Sequence, residues 1–174
     1  MSIIFVRIGE KKMKILYATD LSKNSSFAFL FATDMAKKLD ARIVILHVIE
    51  RIPPYAQVYT GITYEMERRQ QEETVKKLKK HLQEFCKKVE AQIGAPCVEL
   101  VSNILVTRGH PPEEILNAAD EEGCNVIVLG THGKGFLAHT FLGSVSSAVL
   151  HRTRKPVFII PLPFEKASID WDGI

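Results

Sequence analysis

"ARIVILHV", residues 41–48, is apolar almost without interruption over a length that suits a strand. A strand with one wet face would alternate polar and apolar residues. Continuity instead implies that both faces are covered, as in a parallel sheet sandwiched between helices. On the N-terminal side, "KILYAT" (14–19) is a second run of the same kind. Between the two, Ala28, Phe31, Ala32, Met35 and Leu39 recur at helical spacing, with Lys37 and Lys38 in the last turn. Ser22 suits the N-cap of that helix.

Downstream, residues 49–63 carry Pro53, Pro54 and Gly61 and read as an irregular loop. From Tyr64 to Ile93, an apolar stripe of Val75, Leu78, Leu82, Phe85 and Val89 runs along a charged helix that Gly94 is placed to stop. "CVELVSNILVT" (97–107) reads as a strand, less regular than the others. Pro111 and Pro112 suit the first turn of a further helix, where Glu113 and Glu114 favour the positive end of its dipole; Gly123 stops it. "NVIVLG" (125–130) is a strand, 143–152 a short helix, and "KPVFIIPL" (155–162) the last strand. Strands alternating with helices predict a single open doubly wound α/β sandwich, with a five-stranded, mainly parallel sheet and helices on both faces. Residues 13–162 are expected to form this domain, between an N-terminal extension (1–12) and a C-terminal tail (163–174). Ligands of such sheets bind beyond the carboxyl ends of the strands. That rule selects Ala18–Asp20, His47–Ile49, Thr107–His110 and the loop after Leu129.

Composition narrows the chemistry. A length of 174 residues with 46% hydrophobic and 25% charged residues is ordinary for a globular domain. A net charge of +3, without a basic stripe interleaved with aromatics, gives no reason to expect nucleic acid. The basic stretch at 76–88 is mixed with Glu and Gln and reads as a solvated helix face. The three cysteines form no CxxC pair, and Cys124 reads as a small core residue. With no disulfide framework suggested by the cysteines, a reducing cytoplasm is the expected compartment; no apolar run has the length of a membrane span and no signal peptide is expected.

The segment after the fourth strand, "GTHGKGFLAHTFLGSVSS" (130–147), carries the functional signal. A phosphate loop of the form GxxxxGK[ST] fails, because Phe136 stands where lysine is required. "GKGFLA" formally matches the dinucleotide fingerprint, but "GTH" separates it from the strand and no acid follows at the right distance. What remains is G-x2-G-x9-G-S, filled by Gly130, Gly133, Gly143 and Ser144. Glycines let a backbone approach a ligand closely, and a helix that begins with small residues offers amides to an anion. Gly143, Ser144 and Val145 would present those amides, and the hydroxyls of Ser144 and Ser146 would add donors. His132 could neutralise phosphate. His47, in an apolar strand, is expected to be a hydrogen-bonded core residue.

This glycine pattern resembles the nucleotide-binding signature of the universal stress protein family, in its ATP-binding branch. "KILYATDLS", "LHVIE", "RGHPPEEIL" and "KPVFIIP" resemble that family's segments in the same order, covering roughly residues 13–162. The resemblance implies strand order 3-2-1-4-5, a homodimer that pairs through the last strand, and ATP as ligand. It places Asp20 beside the adenosine and Val48 against the adenine edge, with walls around Ala18, Thr19 and Leu129. Mg2+ or Mn2+ would be held mainly by the phosphates. The function it implies is a nucleotide-dependent regulator or switch in stress response, acting on an unknown protein partner. A slow ATP hydrolase at the same site, or a dimeric interaction module that needs no nucleotide, are the alternatives; no residue is visibly placed to activate water.

Overall fold

The computed structural model describes residues 12–22, 25–50, 64–93, 97–131 and 142–161. The elements follow in the order β1 (Lys14–Thr19), α1 (Ser25–Lys38), β2 (Arg42–Glu50), α2 (Tyr64–Ile93), α3 (Cys97–Leu100), β3 (Val101–Gly109), α4 (Pro111–Glu121), β4 (Val126–Gly130), α5 (Ser144–Arg152) and β5 (Val157–Ile160). The strands form one sheet in the order β3-β2-β1-β4-β5, and every neighbouring pair is parallel.

The period of two along each strand sorts the apolar residues into two cores. Ile15, Tyr17, Ile43, Ile45, Val126 and Val128 face α1 and the Phe85–Cys86 part of α2. Leu16, Val44, Leu46, Ile127 and Leu129 face Ile115, Ala118 and Ala119 of α4 and Val149 of α5. Both faces of "ARIVILHV" are therefore covered, which is why it lacks alternation. Phe29 of α1 lies between Tyr17 and Phe85, with ring centroids 5.1 and 5.4 Å away, and joins α1, β1 and α2. Val75 of the expected stripe is half-buried and Phe85 buried; the side chains of Leu78, Leu82 and Val89 lie outside the described part of the structure. Cys124 is buried as expected, and burial pushes its thiol up to about 11.

Two readings need correction. The strand expected over 97–107 opens instead as a helical turn, Cys97–Leu100, and β3 begins only at Val101. Pairing with β2 then slips between Ile43 and Val44, and the Ser102 hydroxyl donates to the Ile43 carbonyl at 3.2 Å across that irregularity. The weak apolar pattern of the segment reflects this bulge. Ser22 does not cap α1 through its side chain: its hydroxyl is buried without a hydrogen-bond partner among the described residues. It is the Ser22 carbonyl that holds the helix start, accepting from the Ser25 N–H at 3.0 Å and the Ser25 hydroxyl at 2.7 Å.

Candidate functional site

β1 ends at Thr19, whereas β2 continues for three residues past the Thr19–His47 pair, supported there by β3 alone. On the other side β4 hands the chain to the loop before α5. The sheet thus opens at its carboxyl end between β2, β1 and β4, at the reversal of strand order where the fold class places ligands. A cavity of about 300 Å3 occupies this opening. Ala18, Thr19, Asp20, Val48, Leu129, Gly130, Gly143, Ser144, Val145 and Ser146 line it together. His132 and Gly133 lie outside the described residues, as do Lys134 and His139.

At the α5 end, the first intrahelical bond runs from the Ser147 N–H to the Gly143 carbonyl at 2.9 Å. The amides of Ser144, Val145 and Ser146 therefore have no acceptor within the helix, and among the described residues no side chain caps them. They stand at the positive end of the α5 dipole, and these three residues line the cavity. Two details differ from the sequence reading. The Gly143 N–H is already engaged, donating to the Thr131 carbonyl at 2.6 Å, so the available amides begin one residue later. The Ser146 hydroxyl is engaged too, donating to the Gly130 carbonyl at 2.7 Å. It ties the start of α5 to the end of β4 on this wall of the cavity. Ser144, by contrast, is exposed.

The β1 end is held by a buried polar network. The Tyr17 hydroxyl donates to the Ser25 carbonyl at 2.7 Å, and full burial pushes its pKa upward. The Thr19 hydroxyl lies 3.0 Å from the Ser25 hydroxyl and accepts the Leu21 N–H at 3.1 Å. Asp20 accepts the Ser22 N–H at 3.0 Å through Oδ1, closing a tight turn. Leu21, between them, adopts φ 58, a left-handed conformation that a branched side chain rarely takes. The turn thereby fixes Asp20 at the cavity edge. His47 Nδ1 lies 2.8 Å from the Thr19 carbonyl; a carbonyl only accepts, so Nδ1 carries the proton. It belongs to the frame of β1 and β2, as expected for a hydrogen-bonded core histidine.

Four lining residues escaped the sequence reading: Leu46, Glu50, Pro111 and Ile115. Leu46 and Glu50 flank Val48 at a spacing of two and so share its face of β2. That signal was available once Val48 was singled out. Pro111 and Ile115 belong to the first turns of α4, and only the crossover brings them over the sheet. Gly109, just before that helix, lies against the Glu114 side chain, where a Cβ would overlap it. Among the described residues no three His, Cys, Asp or Glu side chains converge into a metal cage.

The sequence profile of the universal stress protein family matches residues 12–161. The chain belongs to that family. Universal stress protein MJ0577 of Methanocaldococcus jannaschii is 31% identical over 157 residues, which cover 84% of this chain and 93% of the relative. Among solved structures, a universal stress protein in complex with cAMP shares the fold at a TM-score of 0.53 and 22% identity, covering 85% of this chain and 95% of the other. The universal stress protein from Archaeoglobus fulgidus in complex with dAMP does so at 0.51 and 22%, covering 87% and 98%. Likeness at this identity shows the common fold. None of the described helices is long and apolar enough to cross a membrane.

Proposed function

We propose that this universal stress protein binds ATP in the cavity at the carboxyl end of the sheet and acts as a nucleotide-dependent regulator. The observation that carries the reading is the row of three amides, Ser144 to Ser146, without intrahelical acceptors on the wall of a cavity that also holds Asp20. Amides at a helix N-terminus suit phosphate oxygens, and a carboxylate suits a ribose hydroxyl. Fold relatives in complex with cAMP and dAMP support an adenine nucleotide as the ligand class. Gly130 leaves room for the backbone to approach the phosphates, and His132 and Gly133 are proposed to complete the cradle. Mg2+ or Mn2+ would travel on the phosphate oxygens and water, the usual habit of these hard ions. The signal to a protein partner would be the surface that forms when the phosphates are enclosed.

Isothermal titration tests the assignment of the phosphate end. Charge-assisted hydrogen bonds contribute about 1.5–3 kcal/mol each, so ATP should bind at least roughly tenfold more tightly than adenosine. Equal affinities would remove the cradle from the account.

We also propose a homodimer through β5. β5 is an edge strand, and Phe158 on it is 48% exposed. An exposed apolar edge of this kind is a template for pairing with another strand. Pro156 and Pro161 limit the length of that pairing. Sedimentation at micromolar concentration should give the mass of two chains; a monomer would contradict the pairing.

A further inference from the structure

We infer that Glu50 is a specificity-determining residue that selects nucleotides carrying an amino group on the outer edge of the base. The inference rests on the reading of the cavity as a nucleotide site and assigns its far end. Strand order lays the cavity out in sequence. The amides of Ser144 to Ser146 lie beside β4, Asp20 follows β1, and Val48 and Glu50 lie on β2. Adjacent strands are about 4.8 Å apart, so β2 is roughly 10 Å from β4. With phosphates on the α5 amides, β2 receives the base.

Along β2 the lining changes from floor to rim. Leu46 is fully buried, Val48 half-buried, and Glu50 exposed. Leu46 and Val48, with Ile115 of α4, form the apolar wall on which a base would lie. Glu50, one step further along the same face, meets the edge of that base. Its carboxylate has no hydrogen bond or ion pair among the described residues. Its register partner on β3 is Gly109, which puts no side chain beside it. The Glu114 side chain fills that place instead, because it lies where a Cβ of Gly109 would point. Of these two carboxylates, it is Glu50 that lines the cavity.

Ionised carboxylates accept hydrogen bonds and donate none. A base edge that places a lone pair or a bare C–H there gains nothing, whereas an exocyclic amino group donates directly. The same charge repels phosphate and turns the nucleotide so that its phosphates meet the positive end of α5. Asp20, whose Oδ1 accepts the Ser22 N–H, stands in the middle of the cavity, at the level of the ribose.

The test compares ATP with purine riboside triphosphate, which has the same ribose and phosphates but no 6-amino group, on the full chain and on Glu50→Ala. Because Glu50 is exposed and has no partner among the described residues, the variant should fold normally, which circular dichroism checks. The parent chain should prefer ATP by about tenfold, the worth of one charge-assisted hydrogen bond. In Glu50→Ala the ratio should fall to within about twofold of unity, whatever happens to both affinities through the lost charge. Equal binding of the two ligands by the parent, or an unchanged ratio in the variant, would overturn the inference while leaving the nucleotide reading in place. Failure of the parent to bind either triphosphate would overturn both.

Discussion

A chain carrying Gly143→Val should keep its fold and lose ATP binding by at least about 100-fold. The backbone at Gly143 has φ −65 and ψ 156, an extended conformation open to any residue, so valine meets no strain there. Its N–H can still donate to the Thr131 carbonyl, and helix α5 can still begin at Ser144. Valine is a poorer N-cap than glycine, a loss of about 1 kcal/mol at most. The effect on binding is of another order. Gly143 lines the cavity immediately before the three available amides, and a branched side chain there stands in the space the phosphates need. Losing two charge-assisted hydrogen bonds costs about 3 kcal/mol or more, equivalent to roughly two decades in affinity. Titration calorimetry beside a thermal melt separates the outcomes. Affinity within threefold of the parent, with the fold intact, would mean that the phosphates do not lie on the α5 terminus.

Phe29→Ala should destabilise the fold by about 3–5 kcal/mol, the range for removing a fully buried aromatic ring. Phe29 is 0% exposed and packs against Tyr17 of β1 and Phe85 of α2. Its loss opens a cavity where three elements meet, and neither neighbouring ring can fill it without leaving its own place. Total stabilities of about 5–15 kcal/mol make this a large fraction of the whole. Urea unfolding monitored by far-ultraviolet circular dichroism would measure it. A change below about 1.5 kcal/mol would show that α1 is not locked to the sheet through this ring.

The fold was legible because its strands carry the signature of double burial. "KILYAT" is β1 from its first residue to its last, and the α2 limits follow from periodicity and Gly94. β2 outran its apolar run by two residues because pairing with β3, rather than apolar content, carries it to Glu50. The helical turn at Cys97–Leu100 was not legible, since four residues are too few to show a period. At the site, the glycine and serine spacing pointed to one place, and the ten described residues named from that spacing, the strand ends and the family resemblance together line one cavity. What the spacing could not convey is which donors are already engaged. Gly143 N–H and Ser146 Oγ look available in a sequence, yet both hold the loop and helix together. Nor could it convey Pro111 and Ile115, which reach the site through a crossover. Glu50 stands between these cases: its spacing from Val48 placed it on the right face, but only the cavity gave that face a purpose.

The most direct test of the central claim is an amide-resolved nuclear magnetic resonance titration of the 15N-labelled chain with ATP and, separately, with adenosine. With phosphates on the α5 terminus, ATP should shift the amides of Ser144, Val145 and Ser146 strongly, because a hydrogen bond forms at each free N–H, while adenosine leaves them nearly in place. Residues 18–20 and Val48 should respond to both ligands. If saturating ATP moved the β1 and β2 residues and left the amides of 144–146 where they were, the nucleotide would lie elsewhere in the cavity and the phosphate cradle would be refuted.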